Sequence, residues 1–194
     1  MERSPLADNA RSLGGRRRGQ GFSQRLASTR EIMGYTEEDD DLVRASRETV
    51  LAHADVIVRT VHAYLRSHQE TAMHFARADG RTDRETVEAH DASLKEWLTM
   101  AIEAPLDARL SAYLAEVGRA HTGRGREPRA RVEARHLLAT VGFLQSELIR
   151  VLEGAIDERK TLVATISAWG RLLMIHLDLF LAMYASAERT GRWY

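Results

Sequence analysis

Asp107-Ala108-Arg109-Leu110-Ser111-Ala112-Tyr113-Leu114-Ala115-Glu116-Val117-Gly118-Arg119-Ala120-His121 is the stretch on which the reading of this chain turns. Leu110, Leu114 and Val117 advance by steps of four and three, the spacing of one buried helical face, and the next position on that face is His121. Gly123, Gly125 and Pro128 follow, residues that end a helix and open a loop, so His121 falls in a last helical turn. The carbonyls there lack partners. An imidazole in that turn can donate its Nδ1–H to the carbonyl of Val117, which fixes the tautomer and leaves Nε2 as a lone pair aimed away from the helix.

Working outward, the same helical spacing recurs on both sides. A short helix is expected from Phe22 to Met33. Thr36, followed by Glu37, Glu38, Asp39 and Asp40, reads as an N-cap with acids opposing the helix dipole, opening a helix to about Ala52. Ile57, Val58, Val61, Tyr64 and Leu65 predict a helix over Ala54 to Ser67, and a short helical piece follows near Glu70 to Ala76. Asp79-Gly80 marks a turn before a long helix over Thr82 to Ile102, whose stripe is Val87, His90, Leu94, Trp97 and Ala101. Two long apolar helices complete the chain, Pro128 to Gly154 and Asp157 to Arg189. The last carries Val163, Met174 and Leu181 beyond the face a single core needs, and that surplus suggests a helix–helix dimer interface. The fold class is therefore all-α.

Composition narrows the chemistry. Lys+Arg and Asp+Glu balance at 28 each in 194 residues, which argues against a nucleic-acid partner or a membrane surface held by bulk charge. The charge is nonetheless uneven: residues 1–30 hold seven Arg against Glu2 and Asp8, with glycines around Arg16-Arg17-Arg18. A flexible basic arm over residues 1–21 is expected to precede a mildly acidic body over 22–194. With no cysteine, disulfides, thiolate metal sites and thioether-attached haem are excluded, and any metal must be held by His, Asp or Glu. Leu172 to Ala187 is interrupted by His176 and Asp178 and falls short of the ~20 apolar residues of a membrane helix. No apolar core follows Met1-Glu2-Arg3-Ser4-Pro5, so no signal peptide is expected and the protein is placed in the cytoplasm.

The sequence lacks a phosphate-binding Gly-rich loop after a strand, a G-x-S-x-G and an H-E-x-x-H. Glu133 and His136 form a single E-x-x-H, where a di-iron bundle needs two. The informative residues are histidines on apolar stripes: His62 with Val58 and Leu65, His90 with Val87 and Leu94, and His121. Each taken singly also fits an ordinary core histidine. Together they fit a flat porphyrin, which needs an apolar slot between helices, one neutral imidazole below the iron, and a residue on the other face that ligates iron or hydrogen-bonds a bound gas.

Gly34-Tyr35-Thr36-Glu37-Glu38-Asp39, Asp55 to Phe75, Val117-Gly118-Arg119-Ala120-His121 and Ile166 to Tyr184 resemble, in order and spacing, the protoglobin and globin-coupled sensor family over about residues 22–190. The most specific element is Gly118-Arg119-Ala120-His121, which is similar to the family's Ile-Gly-x-x-His signature with Val117 in place of Ile. The resemblance implies a globin fold with an additional N-terminal helix and a reduced D helix, haem b, His121 as proximal iron ligand, and a homodimer through the last two helices. It also implies a response to oxygen, nitric oxide or carbon monoxide.

Two departures matter. Val61-His62 stands where the family usually has Phe-Tyr, so His62 takes the distal place, either donating to bound gas or ligating iron to give a bis-histidyl resting state. His90 is the second distal candidate, since Leu94 occupies the more haem-facing site one turn later, and Tyr64, two residues after His62, is expected to point away from the haem. The run Thr122 to Arg129 is polar and basic where the family has apolar and aromatic residues, offering an Arg to haem propionates or a more solvated proximal side. Trp97, Leu98, Val117 and Phe143 are expected as pocket walls, with His136 and His176 outside the haem face as packing or interface residues. Only ten residues follow Tyr184, so no fused output module is expected and a signal would pass to a separate partner. The other readings are a haem-dependent enzyme, such as a nitric oxide dioxygenase or a peroxidase, served by a separate reductase, and a haem-free helical interaction module.

Overall fold

The computed structural model describes residues 21–77, 79–122 and 131–189. The arm expected over residues 1–21 lies outside them except for Gly21, as does the basic run from Gly123 to Arg129. The described secondary structure is helical apart from one isolated antiparallel bridge between Ala76 and Thr82. Helix α1 spans 21–32, α2 Glu37–Ala45, α3 Arg47–Ala52, α4 Ala54–Arg66 and α5 Gln69–Ala72, the last running into a 3₁₀ turn at Met73–Phe75. Then come α6 Arg84–Glu103, α7 Ala108–His121, α8 Ala134–Glu153 and α9 Arg159–Arg189.

The cap read from Thr36 is present as a reciprocal box: the Thr36 side chain accepts from Asp39 N–H, and Asp39 Oδ2 accepts from Thr36 N–H at 2.9 Å. The single helix expected over Thr36 to Ala52 is broken at Ser46 into α2 and α3. Ser46 is buried; its hydroxyl donates to the Val43 carbonyl at 2.7 Å and accepts from Trp169 Nε1–H at 3.0 Å. A serine bonded back into the preceding turn bends a helix, and here the bend seats Trp169. Residues 131–133, expected within the helix from Pro128 to Gly154, are not helical, and α8 opens only at Ala134 after the extended Glu133.

α9 is the central element, packed against α2, α7 and α8, while α4 bridges α6 and α8. Ala168, Trp169, Leu172, Leu173, Ile175 and Leu179 of α9 are almost wholly enclosed. By length and composition residues 159–185 would suffice to cross a membrane, and half of the most apolar window is buried inside this fold. The extra N-terminal helix is clasped to α9 at the charge that interrupts its apolar run: Arg25 donates to both oxygens of Asp178 at 2.7 and 2.5 Å, and Thr29 donates to Oδ2 at 2.8 Å. Gly34, at φ +61°, closes α1 with Gly34 N–H on the Glu31 carbonyl and Tyr35 N–H on the Arg30 carbonyl, a turn that needs the left-handed conformation.

Candidate functional site

His121 occupies the last turn of α7, and its Nδ1–H donates to the Val117 carbonyl at 2.7 Å. The ring is thereby held in the tautomer that carries its lone pair on Nε2. Three contacts fix the turn that bears it. Val132 N–H donates to the His121 carbonyl at 2.9 Å, Tyr184 Oη donates to the Val132 carbonyl at 2.9 Å, and the Phe180 ring lies 6.4 Å from the imidazole between centroids. The two ends of the loop after His121 are therefore pinned to each other and to α9. Gly118 makes the approach of α7 to α9 possible: a Cβ there would stand 2.8 Å from Met183 Cγ and 3.2 Å from the Phe180 carbonyl oxygen.

A cavity of about 380 Å³ opens beside His121. Its walls include Met73, His74 and Ala76 from the turn after α5, Thr86, Ala89 and His90 from α6, and Val132, with Asp83 and Glu85 at the same lining. The volume falls in the range of small-molecule sites. In that wall, the buried His74 Nε2 has no hydrogen-bond partner among the described residues, and burial with neighbouring His136 and His121 pushes its pKa below the ordinary histidine value. The donor set, one imidazole lone pair at a slot bordered by small residues and a neutral second histidine, suits a planar metal macrocycle that brings its own equatorial nitrogens. Among the described residues no group of three or more His, Asp or Glu side chains forms an all-protein metal cage.

Of the residues singled out from sequence, His90 borders the same cavity as His121. His62 lies behind His90, buried, with ring centroids 6.0 Å apart, and its Nδ1–H donates to Asp91 Oδ1 at 2.5 Å. Burial lowers the His62 pKa, opposed by the Asp91 carboxylate. Val61 and Leu98 are fully enclosed in the core, and Leu94 packs half-buried against it. Val117 serves through its carbonyl. Trp97 meets His176 edge-on at 5.6 Å, and Phe143 stacks on Tyr64 at 4.0 Å on the partly exposed side of α4. Phe143 is drawn there because Tyr64, two positions from the buried His62, faces outward and offers a flat apolar surface. Glu133 is bound to Arg135 at 2.8 Å rather than to His136, whose ring meets His74 at 5.8 Å. Sequence reasoning passed over His74, which sits in a 3₁₀ turn with no stripe to mark it, and Asp91, whose partner is 29 residues away.

The family model described as Protoglobin matches residues 22–190. The chain belongs to the protoglobin family. Its fold is similar to the globin domain of the Geobacter sulfurreducens globin-coupled sensor, with a TM-score of 0.68 at 16% identity over 81% of this chain and 96% of that one. It is likewise similar to the globin domain of E. coli DosC, crystallised in a ferric form, with a TM-score of 0.67 at 15% identity over 80% of this chain and 99% of that one. No curated protein matches in sequence. At these identities the structural likeness shows the globin fold, and the family match gives this protoglobin its expected prosthetic group, haem.

Proposed function

We propose that this protoglobin is a haem b-binding sensor of a diatomic gas or of redox state, with His121 as the proximal ligand. The observation that carries the reading is the His121 Nδ1–H bond to the Val117 carbonyl at the edge of the cavity, which presents Nε2 as the ligating atom. Bound there, haem supplies reversible binding of oxygen, nitric oxide or carbon monoxide and one-electron redox chemistry.

The residues of the chain do the rest. His90 places a polar ring in the cavity where a bound gas is contacted, and His62 stands one layer behind it, bonded to Asp91. Val61, Leu94, Trp97 and Leu98 stand outside the cavity lining and belong to the apolar core behind it. Strain at His121 passes through Val132 and Tyr184 into α9, and from there to a second copy docked along α8 and α9, where Leu138 and Val163 are exposed. A cytoplasmic location and a separate signalling partner complete the reading.

Titration of the purified chain with haemin tests it. The expected result is a Soret band saturating at one haem per chain and shifting on reduction and on exposure to carbon monoxide. A chain that leaves haemin in its free spectrum contradicts the reading.

A further inference from the structure

Among the described residues, the buried side-chain nitrogens without a hydrogen-bond partner are not scattered. Three of the six, His74 Nε2 and both ring nitrogens of His136, belong to two rings that meet at 5.8 Å between centroids and 67° between planes. His136 is only 8% exposed, and a ring nitrogen buried that deeply without a partner is rare and costly, so it calls for a group that these side chains do not supply to one another. The two rings come from separate segments, His74 from the 3₁₀ turn after α5 and His136 from the first turn of α8. Each brings a carboxylate. Glu70 precedes His74 by four residues and Glu133 precedes His136 by three, so the single E-x-x-H of the sequence meets a second Glu–His pair in space. Glu70 Oε2 stands 3.6 Å from His136 Nε2, too far for a hydrogen bond, and Arg135 draws on both carboxylates, Glu133 at 2.8 Å and Glu70 at 3.2 Å.

We infer that His74 and His136 form a site for one divalent transition-metal ion of the zinc class, ligated by Nε2 of each ring, with water in the remaining positions. Two imidazoles that share such an ion, each nitrogen about 2.0–2.1 Å from it, place their ring centroids about 5–6 Å apart, which is the spacing these two rings hold. Imidazole nitrogens select zinc, copper or nickel over magnesium and calcium, which take oxygen ligands. Among the described residues no third donor completes a protein cage, so the ion keeps bound water. Glu70, its side chain 63% exposed, stands at the entrance and supplies negative charge next to His136, while Arg135 is held back by Glu133. The site is distinct from the one assigned to haem: His136 is not part of the cavity lining and His121 contributes no ligand, so the inference does not rest on the haem-binding reading.

Calorimetric titration of the full chain with Zn²⁺, before and after loading with haemin, tests the site. One zinc per chain at micromolar concentration is expected in both forms, with no heat from Mg²⁺. His74→Leu and His136→Leu are each expected to weaken binding by about a hundredfold or more and Glu70→Gln by about tenfold, whereas His53→Ala and His68→Ala, which remove exposed imidazoles, leave the affinity unchanged. Cu²⁺ bound to the unloaded wild-type chain is expected to show paramagnetic-resonance splitting from two imidazole nitrogens, a readout that needs no variant to fold. A chain that binds no zinc below millimolar concentration, binding that survives His136→Leu, binding that haemin abolishes, or copper held by a single nitrogen each overturn the assignment. Haemin uptake without zinc binding overturns this site alone, and zinc binding without haemin uptake overturns the haem reading alone.

Discussion

His176 lies wholly inside the fold, edge-on to Trp97, and burial drives its pKa from the ordinary 6.5 down to about 4. Among the described residues neither of its ring nitrogens has a hydrogen-bond partner, and the same is true of Trp97 Nε1. Because the folded value lies below the unfolded one, the stability tied to keeping His176 neutral is fully present above about pH 6.5 and is lost as pH falls toward 4. The shift corresponds to a loss on the order of 3 kcal/mol across that window. His176→Leu should flatten the acid limb of a urea-denaturation series, and a variant with the wild-type pH dependence would count against a buried neutral histidine. The sequence placed His176 on an apolar stripe and read it as a packing or interface residue; the structure makes it packing, on a partner 79 positions away, and periodicity carries no information across that distance. The same limit hid the His62–Asp91 bond and the His74–His136 contact, whereas the His121–Val117 bond was legible because both groups lie within one helical turn.

At the scale of elements, two crossings decide whether the site forms. Gly118 lets α7 rest on α9; a branched side chain there meets Met183 and the Phe180 carbonyl, which belongs to the backbone and cannot swing aside. Gly118→Val should lower stability by about 1–3 kcal/mol in chemical denaturation and weaken haemin retention with it. The second crossing is the break at Ser46. Ser46→Ala leaves the buried Trp169 N–H without its acceptor and should cost about 1–3 kcal/mol, while Ser46→Thr should recover part of it. The break was invisible in the sequence because the residues from Glu37 to Ala52 suit one continuous helix, and the signal that divides them is a tryptophan arriving from α9. The Thr36 cap, by contrast, is a local pattern of four residues and was read in full.

The whole molecule is an α9-centred globin in which the turn that bears His121, the N-terminal helix and the exposed face meet on one helix. If α8 and α9 form the dimer, Val163→Asp should turn the sedimentation profile monomeric with the haem spectrum retained; an unchanged profile would move the interface elsewhere. The order of the helices was legible from amphipathic spacing, and so was the placing of His121 at a helix end. The cavity was not, since its walls come from four separate segments brought together only by folding. The central claim, that His121 holds the iron, is tested most directly by His121→Gly, which removes the imidazole but leaves room for a free one. The account predicts that the variant loses the wild-type haem bands and that added imidazole restores them. Wild-type bands in His121→Gly without imidazole would contradict it.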